Sequence, residues 1–441
     1  MDNRVPNQGL ERLYRETGWT LRQFAQAVNR VGTERGTPTA YSPQTVHAWL
    51  KGHVPNEERR LLILEALTRK LHRPITHVEA GFPATADDSN ARPSTVEGLV
   101  DLGRQDMDPS RRSILGMSLF SVAVPDVVGR LEAAQTGRTR RIGVNDVNTV
   151  IAMTERISEL DDQFGGRHAR PMAAAFLVNT VTPYLSADAP EPVRKAMISA
   201  ASDLCYLTGY MAVDEGLQGL AQQYYLKALE LAGAADDHLT YCTTLCGMSV
   251  QAVDLGHGHT AMRLADSAAA ASPQAGPRMR AFLAGQQAHS AAQLGDRANA
   301  LRYLAEAESA MEKAESREKA FGSYDPSSLH YHISHVRHEL GDLPGAVEAM
   351  QESDRLCYDV YRRSRVKERL TLAEFQMGLS HLEAACATWH EALDEYALVQ
   401  SGRVDQRIRT MFGLIQPHLK NTTARELHER ARTVAPASVA T

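Results

Sequence analysis

Three groups of side chains in this chain have the types and the spacing to do chemistry. The first is Gln44, Thr45 and His47, short hydrogen-bonding groups just after Ser42-Pro43. Ser is a good N-cap and Pro suits the first helical position, so the three stand in the opening turns of a helix that Gly52 ends. Val46, Trp49 and Leu50 fall on its inward face, leaving Gln44, Thr45, His47, Ala48 and Lys51 outward. Such a row can read base edges in a major groove. Thr20, Arg22, Ser42 and Lys51, with His53 beside them, are placed to hold backbone phosphates.

The second group is His330, His332, His335 and His338, in a helical segment after Pro326. His332 and His335 share a face at i, i+3, as do His335 and His338. A row of this kind can bind a metal or sense pH. No thiol is interleaved and Glu339 projects elsewhere, so the reading adopted is a groove lining. His332, His335 and Tyr210 are its candidate ligand contacts. The third group is two basic runs, Arg138, Arg140, Arg141 and Arg362, Arg363, Arg365, Lys367, Arg369. A helical charge run reads first as a solvated face with acidic neighbours such as Glu368; flanking phosphate and an acidic ligand are the respective alternatives. Tyr206, Tyr210, Tyr224 and Tyr225 read mainly as packing between helices.

Catalysis has no comparable signal. The chain contains no glycine-rich phosphate loop, no Gly-x-Ser-x-Gly elbow and no His-Glu-x-x-His helix, so neither an enzyme nor a cofactor is expected. Five scattered cysteines (Cys205, Cys242, Cys246, Cys357, Cys386) read as reduced intracellular thiols in helix cores. Cys242 and Cys246 are i, i+4 but lack nearby His partners for zinc, and no metal is expected.

The elements that must position these groups are helices. Thr20-Leu21-Arg22-Gln23 is a capping box, followed by an apolar stripe of Leu21, Phe24, Ala25 and Val28. Pro83 to about Pro109 is rich in Ala, Ser, Thr, Asp and Pro and reads as a partly mobile linker. Arg111-Arg112 with the apolar run to Pro125 looks like an export signal. It lies deep in the chain and is too short to span a bilayer, so a buried helix and a cytoplasmic protein without membrane contact are expected. From Arg111 onward helical segments follow one another with short breaks. Leu255-Gly256-His257, Leu294-Gly295-Asp296, Leu340-Gly341-Asp342 and Met377-Gly378-Leu379 each end one helix and start the next. After them come small packing residues: Ala261, Ala265, Ala268; Ala300, Leu304, Ala307; Ala346, Ala349; Ala384, Ala385, Leu393. The spacing of the breaks matches helical-pair repeats, and Gly233 is a further break. Charge divides the chain the same way. Residues 1–82 hold 12 Lys+Arg against 8 Asp+Glu, and the remainder 36 against 45, within a net charge of −5. A basic head on an acidic body suits a nucleic-acid reader joined to something else.

The residues Thr20, Phe24-Ala25, Val46-His47-Ala48-Trp49, Lys51-Gly52 and Pro55, with Leu61, Leu64, Leu67 and Leu71 behind them, resemble the Cro/lambda-repressor-like helix-turn-helix family. The resemblance runs from about Leu10 to Phe82 and implies a five-helix DNA-binding domain. Leu21 and Leu50 stand where the family often has Gln and Glu, and the turn between the helices is stretched over Val31 to Tyr41. From Val193 to Tyr396 the chain resembles degenerate tetratricopeptide repeats. The implied architecture is all-α: a head at 1–82, a linker at 83–110, and a repeat superhelix at 111–441 for regulation and dimerisation. Head and body together resemble Gram-positive regulators in which a groove-bound peptide changes how two heads sit on DNA. Actinobacterial proteins of this layout often regulate antibiotic production and development. The layout implies a homodimeric transcriptional regulator of double-stranded DNA that responds to a peptide, small molecule or protein. The alternative is a repeat scaffold that sequesters a protein partner, with the head as a docking module.

Overall fold

The computed structural model describes residues 7–34, 38–71, 80–82, 95–106, 141–271, 275–314 and 324–440. The regular elements among them are helices; beyond these stands one isolated β-bridge, Arg141 with Asp188. The fold is all-α. By its contacts the chain divides into a unit of residues 1–97 with 217–220 and a unit of residues 98–216 with 221–441. No helix among the described residues is long and apolar enough to cross a membrane.

The head contains α1 (Gln8–Thr17), α2 (Leu21–Glu34), α3 (Pro43–Leu50) and α4 (Glu57–Leu71). The fifth helix expected of the head is not among the elements described in this unit. Leu10, Leu13, Phe24, Val28, Val46, Trp49, Ile63 and Leu67 form the core. Tyr14 stacks on Phe24 at 5.9 Å, and Tyr41 meets Trp49 edge-on at 5.0 Å. The capping box at Thr20 forms: the Thr20 amide donates to Gln23 Oε1 (2.9 Å) and the Gln23 amide to Thr20 Oγ1 (3.3 Å). The long turn is shorter than the sequence suggested, because α2 continues through Glu34. Asn29 fastens the end of that turn. Its Oδ1 accepts from the Tyr41 amide (2.7 Å) and the Thr39 hydroxyl (3.0 Å), while its amide nitrogen donates to the Tyr41 carbonyl (3.0 Å).

In the body unit the first surprise is α5 (Thr95–Asp106), which falls inside the stretch expected to be linker. Leu99 and Leu102 are buried, and a Cβ on Gly103 would come within 2.4 Å of Val178. The polar composition of 83–110 concealed this short apolar face. Residues 107–140, with the arginine pair at 111–112, Arg138 and Arg140, lie outside the described residues. Next come α6 (Val144–Phe164) and α7 (Gly166–Phe176), which runs on through a π turn (Leu177–Val181) to Leu185.

Helix pairs make up the rest: α8 (Glu191–Asp214) with α9 (Gln218–Ala234), α10 (His238–Asp254) with α11 (Gly258–Ala271), and α12 (Pro277–Gln293) with α13 (Arg297–Glu312). The series continues with α14 (Pro326–Glu339) and α15 (Leu343–Leu356), α16 (Arg362–Gly378) and α17 (Leu382–Tyr396), and α18 (Gly402–Ile415) and α19 (Thr422–Val434). The turns repeat one device. Gly256, Gly295 and Gly341 take φ of 75°, 73° and 83°. The following amide closes back five residues, His257 to Ala252 (2.8 Å), Asp296 to Ala291 (3.0 Å) and Asp342 to Arg337 (2.8 Å). Asp296 and Asp342 then cap the next helix through the amides of Asn299 and Gly345.

Two breaks sit elsewhere than expected. Gly378 stays helical and packs on Leu343, and Ser380 takes the left-handed position (φ 62°). Helix α9 passes Gly233 and turns at Asp236 (φ 50°), a residue type that tolerates this conformation. Ala261, Ala265, Ala268, Ala300, Ala307, Ala346 and Ala385 have no exposed surface, as close helix packing requires, whereas Ala384 faces out.

The end of the body returns to its beginning. The Gln400 amide donates to the Phe164 carbonyl (2.7 Å), and the Arg167 amide to the Gln400 carbonyl (3.1 Å). Asp214 accepts from the Gly166 amide (3.0 Å) and the Ser401 hydroxyl (2.8 Å). The backbones meet at glycines: a Cβ on Gly165 would stand 2.5 Å from the Gln400 carbonyl oxygen, and one on Gly402 2.6 Å from that of Glu215.

Candidate functional site

Helix α3 starts where the sequence says it should. Ser42 Oγ accepts from the Thr45 amide (3.4 Å), the Ser42 amide donates to Thr45 Oγ1 (3.4 Å), and Pro43 follows the cap. This divides the candidate contacts in two. The hydroxyls of Ser42 and Thr45 close the helix start, and that of Thr20 lies 3.1 Å from Gln23 Oε1 at the start of α2. Gln44 and His47 are exposed on α3, Arg22 on α2 and Lys51 just after α3, and among the described residues none of their side chains has an internal partner. His53 is exposed also. The face therefore offers one amide, one imidazole and two cations to an external ligand. Its orientation is fixed from behind by Val46, Trp49 and Leu50.

The body holds the second site, a cavity of about 420 Å³ between α6, α8, α10, α12, α14, α16 and α18. Tyr210 and His332 line it. His335 does not. Its ring instead packs at a tilt against Tyr331 (4.4 Å) and His289 (5.0 Å). His338 lies on Phe375 at 4.4 Å. Burial depresses the imidazoles of His332, to about 3, and His289, to about 4, with His335 also far down, and leaves these three neutral. His332 Nδ1 is 2.7 Å from the Tyr324 hydroxyl, and no cluster able to hold a metal occurs among the described residues.

The basic run of α16 separates in the fold. Arg365 and Arg369 pair with Glu395, and Arg369 with Asp354 (2.8 Å), outside the cavity lining. Glu368, expected as their acidic neighbour, instead accepts from the Ser353 hydroxyl (3.0 Å), and burial lifts its carboxyl to about 7. Arg363 is 2% exposed and tied to Asp161 (3.0 Å), Asp162 (3.4 Å) and Asp214 (3.7 Å), with the Tyr210 hydroxyl at 3.4 Å. Burial drives Asp161 to about 8 and Asp162 to about 6 against the pull of Arg363. Burial also opposes the charge on Arg363, but its acidic neighbours outweigh it and hold the guanidinium protonated. Three carboxyls sharing one cation leave negative charge in excess, so the knot retains a proton near neutrality. Tyr206 lines the cavity, whereas Tyr224 and Tyr225 are wholly buried packing residues. The acids Asp161 and Asp214 escaped sequence reasoning because Arg363 is remote from both along the chain, 202 residues from Asp161.

A family model described as the SP15 N-terminal domain matches residues 10–83. No curated protein matches the chain. Among solved structures, the chain is similar to a Signal Transduction ATPase with Numerous Domains from Pyrococcus horikoshii that has a tetratricopeptide repeat sensor. The TM-score is 0.43 at 11% identity, covering 94% of this chain and 60% of that one. It is also similar to a monomeric IFIT1 mutant with m7Gppp-AAAA, with a TM-score of 0.36 at 15% identity over 94% of this chain and 95% of that one. The chain thus spans less than two thirds of the Pyrococcus protein. The body is a tetratricopeptide-like helical-repeat domain, read from its own helix pairs and turns.

Proposed function

We propose that the protein is a sequence-specific, double-stranded-DNA-binding transcriptional regulator. It acts as a homodimer without catalytic activity, and its body cavity receives an effector. The observation that carries this reading is the face of α3. A rigidly capped helix presents Gln44 and His47 without internal partners among the described residues, flanked by the free cations Arg22 and Lys51. Gln suits the bidentate pattern of adenine and His a single acceptor, while the two cations suit phosphate. A single head supplies few contacts, so tight binding needs two heads on a repeated or two-fold site.

The test is retention on random duplex as salt rises. A regulator should show steep salt dependence, and Lys51→Ala should lower the slope of log K against log salt by about 0.9. Salt-independent or absent retention would overturn the reading and favour the scaffold alternative.

A further inference from the structure

Among the described residues of the cavity wall, Lys367 is a cation with no ion pair. Arg363 is held by three aspartates and Arg403 by Asp254. Among the described residues no carboxylate lies within ion-pair distance of the Lys367 ammonium. The ammonium instead sits over the face of the Tyr331 ring, 4.4 Å from the centroid. Glu368, next in sequence, bonds Ser353. A half-buried ammonium is costly without an anion, and burial already weakens its hold on the proton. Around it the wall is aromatic: Tyr206, Tyr210, Phe282, Tyr324 and Tyr331. The volume, about 420 Å³, is in the range of small-molecule sites. The other ionisable groups of the wall are largely acidic, Glu155 and Glu368 beside the aspartates of the knot, which disfavours a ligand carrying several negative charges.

We infer that the cavity binds a small aromatic monoanion, with its carboxylate on Lys367 and its ring among the tyrosines. This rests on the reading of the cavity as the effector site, and it names the effector's class. The test uses the full chain and three probes sharing one ring system: naphthoate, neutral naphthamide and dianionic naphthyl phosphate. Binding is measured by calorimetry. The expected result is naphthoate at least about tenfold tighter than naphthamide, with naphthyl phosphate weaker than naphthoate. Lys367→Met should abolish the acid-over-amide preference, and Lys367→Arg should keep it. If Lys367→Met fails to fold, the wild-type ratio decides alone. Equal binding of acid and amide, no binding of either, tighter binding of the phosphate, or a preference surviving in Lys367→Met would each overturn the inference. Duplex retention is measured on the same samples. Lost acid preference with intact duplex binding overturns the inference alone, and the reverse overturns the regulator reading alone.

Discussion

Head and body treat their polar side chains in opposite ways. In the head, the groups that face outward on α3 and around it, Gln44, His47, Arg22 and Lys51, are left without partners among the described residues, while Ser42, Thr45, Thr20 and Asn29 fasten backbone close by. In the body, the buried arginines are matched internally. Arg363 binds three aspartates, Arg170 binds Asp106 and Glu215, and Arg403 binds Asp254. The difference separates two uses of polarity. Exposed, unpaired groups on a rigid helix cost little and are available to a ligand, whereas buried ones must be matched inside the protein. Against that background Lys367, a cation of the cavity wall with no carboxylate in ion-pair distance among the described residues, stands out.

The sharpest way to break the contrast is to remove the centre of the body's knot. Arg363→Met leaves three buried carboxyls without their cation, and calorimetric unfolding should show a loss of about 3–5 kcal/mol. A loss below about 1 kcal/mol would mean the knot is solvated and the contrast overstated. A second effect is pH dependence. Unfolded, Asp161 and Glu368 titrate at 3.8 and 4.5, and folded at about 8 and about 7, so above pH 6.5 the folded body binds more protons than the unfolded chain. Stability therefore falls as pH rises from 6.5 towards 8. The buried histidines oppose this just above pH 6.5, because an unfolded imidazole is still partly protonated there while the folded ones are neutral, so the fall is clearest between about 7 and 8. Melting curves across that interval check the sign, and Asp161→Asn should flatten it.

Smaller effects belong to the head. Ser42→Ala removes the cap of α3 and should cost about 1 kcal/mol of head stability by chemical denaturation. Gln44→Ala with His47→Ala should change it by less than about 0.5 kcal/mol, since neither side chain has an internal partner.

Legibility in the sequence depends on the range of the interactions. The caps at Thr20 and Ser42, the glycine turns at Gly256, Gly295 and Gly341, and the buried alanines are local and could be read directly. The turn at Ser380 could not, because Gly378 next to it looked like the better breaker but was needed for packing on Leu343. His332 lines the cavity and His335 does not, a separation that i, i+3 spacing could not show, because one helical face is wide enough to span both a cavity wall and the packing behind it. Arg363 looked like one more member of a solvated run, since its partners are on helices far away in sequence. Helix α5 was hidden by polar composition, which says little about a short face closed by Leu99, Leu102 and Gly103.

The most direct test of the central claim is selection of bound sites from a random duplex library, with the wild-type chain and with the Gln44→Ala, His47→Ala variant. The wild type should enrich a defined, repeated or two-fold site, while the variant should still bind duplex but with relaxed preference at the contacted bases. Identical motifs with identical discrimination from both proteins, or no enrichment by the wild type, would contradict it.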